Sequence, residues 1–199
     1  MLKKLCTVSC LMVLLFTATL MPCYATPSAV QIMIKTDQGN IELELFPDKA
    51  PKTVKNFLFY VNENYYDGLV FHRVIEGFMI QAGAFDKDLN IREPKGEPVM
   101  NESFNGLKNA KGTIAMARKS DPNSAKSQFY INVVDNFFLD PRTHKPGYTV
   151  FGRVISGMEV AEKISKLATK KSGHMDDVPV TPIHILEAKV IDQTNAVTK

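Results

Sequence analysis

Residues 71–83 read FHRVIEGFMIQAG, a stretch in which apolar residues alternate with His72, Arg73, Glu76 and Gln81. It predicts two short strands separated by a turn at the first glycine. Strand alternation places Arg73 on the same face as Phe71 and Ile75. A guanidinium on an apolar face must reach solvent, pair with an acid or contact a ligand. Arg73 is therefore a candidate functional residue, with an ordinary surface arginine as the alternative on this local pattern.

Outward from this stretch, the chain predicts many short strands. Residues 32–37 and 41–46 alternate apolar and polar residues around Gln38-Gly39-Asn40, which is typical of a hairpin. Further strands are predicted at 69–75, 78–82, 113–117, 128–133, 148–155 and 183–191.

Only two helices are predicted. Pro51 opens the first, whose apolar stripe recurs at helical spacing and consists of Val54, Phe57, Leu58 and Val61. The second covers 158–166, and the cluster of Lys166, Lys170 and Lys171 indicates its solvated end. Many short strands with two helices favour a mainly β fold, an antiparallel sandwich or barrel, over a βαβ fold.

Composition and charge restrict the class of protein. The chain has 199 residues, of which 45% are hydrophobic and 23% charged, so disordered, collagen-like and disulfide-stapled chains are excluded. No linker divides it, and one domain over 26–199, with its core at about 30–192, is predicted. The net charge is +3, and two of the lysines, Lys3 and Lys4, lie at the start of the chain. A near-neutral remainder gives no reason to expect nucleic-acid binding.

Residues 1–25 are predicted to be a signal peptide. A basic start precedes an apolar stretch that is densest at 11–16, and Cys23-Tyr24-Ala25 provides small residues before a cleavage point. An uncleaved anchor is the alternative, although the apolar stretch is short for a bilayer and contains Thr and Ser. We expect a periplasmic, possibly secreted, protein with no stable membrane insertion after cleavage. All three cysteines lie in this leader, so the mature chain carries no thiol.

Other motifs do not support metal, cofactor or hydrolytic chemistry. Residues 86–97 match part of a calcium-loop template, but Ile91 stands where glycine is required. The four histidines lack the spacing of zinc ligands, and no G-x-S-x-G motif is present. We therefore expect no metal and no cofactor.

Several motifs together resemble one family. The stretch FHRVIEGFMIQAG is followed in order by GTIAMAR, DPNSA, SQFYIN, FLD and YTVFG, at 112–118, 121–125, 127–132, 138–140 and 148–152. This series resembles the cyclophilins, which are peptidyl-prolyl cis/trans isomerases. The resemblance implies a closed eight-stranded antiparallel β-barrel capped by two α-helices. It also implies an enzyme that isomerises X-Pro bonds in proline-containing polypeptides, here exported proteins. We expect the protein to be a monomer.

The resemblance also assigns roles to individual residues. Arg73 matches the catalytic arginine, which we expect to hydrogen-bond the prolyl nitrogen of a twisted transition state in an apolar pocket. The residues that match substrate-binding positions are His72, Phe78, Met79, Gln81, Ala117, Arg118, Gln128, Tyr130, Phe138, Leu139 and Tyr148. The alternative to an enzyme is a non-catalytic proline-peptide-binding module, or a holdase chaperone, that uses the same groove.

Three positions depart from the family pattern. Phe138 stands where many eukaryotic members have a tryptophan, so an indole N–H donor is lost and weak cyclosporin binding is expected. Tyr148 stands where those members have a histidine. Ala82 replaces a glycine of the common signature, and we expect no effect from it.

Overall fold

An antiparallel sheet of eight strands forms the frame of the computed structural model, which describes residues 30–191. The predicted leader at 1–25 lies outside the described residues. The elements in chain order are β1 (Val30–Thr36), β2 (Gly39–Leu45), α1 (Pro51–Asn62), β3 (Arg73–Ile75), β4 (Met79–Ala82), β5 (Thr113–Met116), β6 (Phe129–Asn132), a 3-10 helix (Phe137–Leu139), β7 (Val150–Ser156), α2 (Met158–Ser165), β8 (Thr169–Ser172), β9 (Met175–Pro179) and β10 (Ile185–Val190).

The strands of the large sheet follow the order β10–β1–β2–β7–β5–β6–β4–β3. The prediction of a mainly β protein with an eight-stranded antiparallel sheet and two helices is confirmed. The barrel closes only through a short seam, because the edge strands β3 and β10 form no ladder with each other. Instead, Phe71 N–H donates to the Ile183 carbonyl at 3.0 Å, and Ile185 N–H donates to the Leu69 carbonyl at 2.8 Å.

The concave face of the sheet and both helices share the main core. In α1, Val54, Phe57 and Val61 are buried, while Leu58 is half-buried. Alternate residues of the strands, such as Ile32 on β1, point into the same cluster. Burial of this apolar surface is the main favourable contribution to folding.

The opposite face of the sheet carries a second, smaller apolar cluster around Met79, Ala115, Tyr130 and Val150. Ile75 packs against it, whereas Phe71 belongs to the main core. The prediction that Phe71 shares a face with Arg73 is therefore wrong. Strand β3 begins at Arg73, so its alternation does not extend back to Phe71.

A separate two-stranded hairpin, β8–β9, follows the second helix and was not predicted. Lys170 and Lys171 lie on β8, so their assignment to the end of a helix is wrong; α2 ends at Ser165. The hairpin packs against β3. Within residues 30–191, no helix is long and apolar enough to cross a membrane.

Candidate active site

One row of paired residues crosses the outer face of the sheet. Arg73 on β3 pairs with Gln81 on β4, Gln81 pairs with Tyr130 on β6, and Tyr130 pairs with Ala115 on β5. Residues that are directly opposite each other in antiparallel strands present their side chains on the same face. The register of β3, β4 and β6 therefore brings Arg73, Gln81 and Tyr130 together, although Tyr130 is far from the other two in the chain.

The turn between β3 and β4 depends on a glycine. Gly77 has a φ of +67°, in the left-handed region, and Phe78 N–H donates to the Ile75 carbonyl at 3.2 Å. Glycine adopts this conformation without steric cost. The turn places Phe78 beside the same face that carries Arg73.

A depression of about 260 Å³ lies over this row of residues. Phe78, Met79 and Leu139 give it apolar walls, and Arg73 lies at its border. Nine of the twelve predicted site residues line it: Arg73, Phe78, Met79, Gln81, Ala117, Arg118, Tyr130, Leu139 and Tyr148. We call it the central cavity.

Two further predicted residues adjoin the central cavity. Gln128 accepts a hydrogen bond from Gln81 Nε2 at 2.9 Å, and it lines a neighbouring depression. The ring of Phe138 stacks on that of Phe78 with 5.7 Å between centroids. Phe138 is 60% exposed, so it can cover a ligand only from the rim.

His72 does not reach the central cavity, and its predicted substrate contact needs correction. Its side chain is 3% exposed and lies 4.7 Å, centroid to centroid, from the ring of Phe85. It borders a different depression, beside the β8–β9 hairpin. Burial, assisted by the nearby charge of Arg73, lowers the pKa of His72 to about 4, so the imidazole is neutral near pH 7.

The β8–β9 hairpin brings a carboxylate to Arg73. Asp177 Oδ2 lies 3.7 Å from Arg73 Nε, and both side chains are partly exposed. Asp177 has a φ of +61°, a conformation that aspartate tolerates better than most residues but that still costs free energy. Within residues 30–191, the Arg73 guanidinium makes no hydrogen bond to another protein group, so its N–H donors can serve a ligand.

A buried polar network supports the cavity from behind. The Tyr130 hydroxyl donates to Asn109 Oδ1 at 2.7 Å, and Asn109 Nδ2 donates to Asp140 Oδ1 at 3.0 Å. Asn136 Nδ2 donates to the Phe78 carbonyl at 2.9 Å. Burial raises the pKa of Tyr130 well above its usual value, so this wall of the cavity is uncharged.

Arg118 is held by backbone oxygens and an aromatic ring. Its guanidinium lies 4.6 Å from the centroid of the Tyr148 ring, and it donates to the Pro146 carbonyl at 3.2 Å and the Lys119 carbonyl at 3.0 Å. Such a cation over a ring is attracted by its electron-rich face. Tyr148 therefore links the predicted peptide-binding segment, Ala117 and Arg118, to the cavity wall.

No site role was predicted from the sequence for Asp177, Asn109 or Asp140, although Asp140 ends the FLD motif. All three belong to segments that lack a periodic apolar pattern, and each reaches the site through a contact between segments distant in the chain. A carboxylate, Asp177, next to the candidate arginine was one of the outcomes that an arginine on an apolar face allows, but the sequence did not identify which acid. Across the described part of the chain, no group of three or more His, Cys, Asp or Glu side chains is arranged to hold a metal ion.

Taken together, the arrangement can hold an apolar ring against Phe78, Met79 and Leu139 while a guanidinium approaches its edge.

Comparison with known proteins agrees with this geometry. The family model described as cyclophilin type peptidyl-prolyl cis-trans isomerase/CLD matches residues 30–190. The chain is 50% identical over 170 residues to peptidyl-prolyl cis-trans isomerase A of Dickeya dadantii, covering 85% of this chain and 89% of that protein. It is 47% identical over 165 residues to peptidyl-prolyl cis-trans isomerase B of Escherichia coli, covering 81% and 99%.

Solved structures show the same fold. A Cryptosporidium parvum cyclophilin type peptidyl-prolyl cis-trans isomerase superposes with a TM-score of 0.70 at 27% identity, covering 83% of this chain and 99% of that one. The same isomerase, crystallised in the presence of the dipeptide Ala-Pro, superposes with a TM-score of 0.68 over 81% and 99%.

Proposed function

The chain belongs to the cyclophilin-type peptidyl-prolyl cis-trans isomerases, and we propose how its central cavity accelerates rotation about an X-Pro bond. The proline ring lies against Phe78, Met79 and Leu139, and the Arg73 guanidinium donates a hydrogen bond to the prolyl nitrogen. The single observation that supports this arrangement is that Arg73, which makes no hydrogen bond to another protein group within residues 30–191, lies at the edge of a cavity with apolar walls.

The chemical reason lies in the amide bond itself. Rotation has a barrier of about 18–20 kcal/mol, because the nitrogen lone pair is delocalised into the carbonyl. In the twisted transition state the lone pair returns to nitrogen, which then becomes a hydrogen-bond acceptor. A donor that binds this nitrogen, and not the planar amide, lowers the barrier selectively. Arginine is suitable because it remains protonated and its donors have a fixed geometry.

One hydrogen bond provides only part of the acceleration. A charge-assisted hydrogen bond contributes about 1.5–3 kcal/mol, which is roughly one to two factors of ten in rate. We propose that the apolar walls supply a second contribution, because the twisted bond has a smaller dipole than the planar amide. Gln81 and Gln128, which hydrogen-bond each other at 2.9 Å, hold the flanking substrate backbone still. The step needs no proton transfer and no covalent intermediate.

Replacement of Arg73 by alanine tests this mechanism. We expect Arg73→Ala to lower kcat/KM for an Ala-Pro peptide at least ten- to hundredfold, as measured by exchange NMR, while the unfolding transition stays unchanged. Arg153→Ala is the matched control, because Arg153 is also a strand arginine paired with a carboxylate, Glu44 at 2.7 Å, but it lies outside the central cavity. Near-normal turnover in Arg73→Ala would remove the assigned role. The holdase alternative predicts a different result. The unmodified protein would then show no detectable turnover, and Arg73→Ala would still bind the peptide.

We also propose that the chain acts outside the cytoplasm, in the periplasm or beyond, on exported proteins. The support is the leader pattern at 1–25 and the confinement of all three cysteines to it. N-terminal sequencing of the protein from a periplasmic extract should begin at Thr26. Leu14→Arg, which interrupts the apolar stretch, should retain the protein in the cytoplasm. Recovery of the unmodified protein from the cytoplasmic fraction with residues 1–25 intact would contradict the proposal.

We also propose that the protein binds cyclosporin weakly and that it is a monomer. Phe138 carries no N–H donor and is 60% exposed, so it offers such a ligand apolar contact alone. We expect Phe138→Trp to strengthen inhibition by cyclosporin A without a comparable change in turnover. Sedimentation equilibrium should return the mass of one chain. Strong inhibition of the unmodified protein would overturn the expectation for cyclosporin.

A further inference from the structure

A second depression, of about 400 Å³, opens directly beside the central cavity. The two share Arg118, Leu139 and Tyr148 as a common wall. On its outer side the depression is bordered by Arg142 and Lys145. We call this depression, bordered by Arg118, Arg142 and Lys145, the cationic annex.

Arg142 and Lys145 are held side by side by the backbone. They form an antiparallel bridge in which Arg142 N–H donates to the Lys145 carbonyl at 3.0 Å and Lys145 N–H donates to the Arg142 carbonyl at 2.9 Å. Directly opposite residues share a face, and like charges in such a pair repel each other. The intervening turn includes His144 at a φ of +62°, so the chain adopts an unfavourable conformation in the same place.

No acid neutralises these cations in the part of the chain that the structure describes. Arg118, Arg142 and Lys145 have no carboxylate within ion-pair distance there, whereas Arg73 and Arg153 each have one. The one carboxylate in the lining belongs to Asp140, whose side chain is 6% exposed and turned toward Lys108. It also accepts hydrogen bonds from Asn109, so it is already engaged.

The positive charge of the annex is local. Residues 30–191 contain 21 basic and 20 acidic side chains, so the described chain as a whole is almost neutral. Three cations without acidic partners around one depression therefore stand out from the average surface. Such an arrangement attracts an anionic group, and its position next to the central cavity determines where that group comes from.

We propose that the cationic annex binds the side-chain carboxylate of an Asp or Glu close to the substrate proline. The inference rests on the proposed isomerase function, because the proline in the central cavity delivers the acidic residue to the annex. An extended chain advances about 3.3–3.6 Å per residue, so only residues within a few positions of the proline can reach the shared wall. The substrate class is thus X-Pro segments with an acidic residue nearby.

Matched peptides test the proposal. Each peptide contains one Ala-Pro bond and one variable residue, either Glu or Gln. The variable residue lies either directly before the alanine or directly after the proline. Exchange NMR gives kcat/KM for each peptide. We expect Glu to raise kcat/KM about three- to tenfold over Gln on one side of the proline, because exposed ion pairs are individually weak and several act together here. The preference should shrink at high salt, which screens exposed charges.

Paired variants separate the annex from general charge. The double variant Arg142→Gln/Lys145→Gln should lose the preference for Glu but keep its turnover of the Gln peptides. Lys35→Gln/Lys55→Gln removes the same charge at two exposed lysines outside these depressions and should keep the preference.

Three outcomes would overturn the proposal. The first is equal kcat/KM for Glu and Gln peptides in the unmodified protein. The second is a preference for Glu that survives in Arg142→Gln/Lys145→Gln. The third is that an acidic peptide with alanine in place of proline inhibits the enzyme as strongly as the acidic peptide that contains proline. The last result would indicate an anion site independent of the substrate. Normal turnover of the Gln peptides in all cases would leave the isomerase mechanism intact, so the two proposals fail separately.

Discussion

Arg73 is the residue on which the proposed mechanism depends, and its environment in the structure is more specific than its sequence context indicates. The strand register places it opposite Gln81, and the hairpin places Asp177 within 3.7 Å. An ion pair of that length restricts the guanidinium without occupying its donors by hydrogen bonds. Asp177 therefore acts as a positioning residue in this account, through Arg73 and not through the substrate.

Asp177→Asn tests the positioning role. Asparagine keeps the shape and tolerates the positive φ, so the change removes little besides the charge. We expect kcat to fall about two- to fivefold with KM nearly unchanged, in keeping with the small free energy of an exposed ion pair. Asp176→Asn, which removes the neighbouring carboxylate that pairs with Lys171, is the control and should change neither constant. A rise in KM alone, or equal losses in both variants, would contradict the role.

His72 should affect stability in acid. Its pKa is lowered to about 4 in the folded protein, against 6.5 when unperturbed, mainly by burial. Between these values the unfolded chain binds the proton and the folded chain does not, so the free energy of unfolding decreases as the pH falls through this window. The loss from this group amounts to about 3 kcal/mol when the pH falls from about 6.5 to 4.

Urea denaturation at several pH values measures this effect. The slope of unfolding free energy against pH between 4 and 6.5 should be smaller in His72→Gln than in the unmodified protein. His174→Gln replaces an exposed histidine and should leave the slope as it is. Identical slopes in all three proteins would show that His72 is not buried in its neutral form.

At the scale of elements, the β3–β4 turn aligns Arg73 with Gln81. Substitution of the glycine in this turn, Gly77, should lower the stability of the protein. A Cβ at Gly77 would meet nothing within 4 Å, so Gly77→Ala costs only the positive φ, about 1–2 kcal/mol. Gly77→Asn should cost less, since asparagine tolerates this conformation. Gly83→Ala should cost most, because its Cβ would lie 2.6 Å from the Ser127 carbonyl oxygen. Urea unfolding gives this order, and an equal loss at Gly77 and Gly83 would contradict it.

Helices and strands with a clear periodic pattern of apolar residues could be predicted from the sequence, whereas largely polar strands could not. The first hairpin, α1 and α2 were predicted within a few residues, because alternation and helical spacing report which face is buried. The β8–β9 hairpin reads TKKS and MDDVP and is largely exposed, so no buried face left a pattern. The strand predicted at 69–75 is shorter, because its first half forms the barrel seam instead of a ladder.

For the molecule as a whole, the family resemblance predicted which residues meet, and the structure adds how they meet. Nine predicted residues line one cavity, and Gln128 and Phe138 adjoin it. His72 lies just before β3 and is buried against Phe85, away from the central cavity, and the motif alone does not reveal this placement. Asp177 and the bridge between Arg142 and Lys145 could not be predicted, because distant or irregular segments form them.

The most direct test of the account is a crystal structure of this protein with a bound Ala-Pro peptide. The proline ring should lie against Phe78, Met79 and Leu139, with a guanidinium nitrogen of Arg73 within about 3.5 Å of the prolyl nitrogen. A proline ring in the central cavity with the Arg73 guanidinium directed away from it would contradict the central claim.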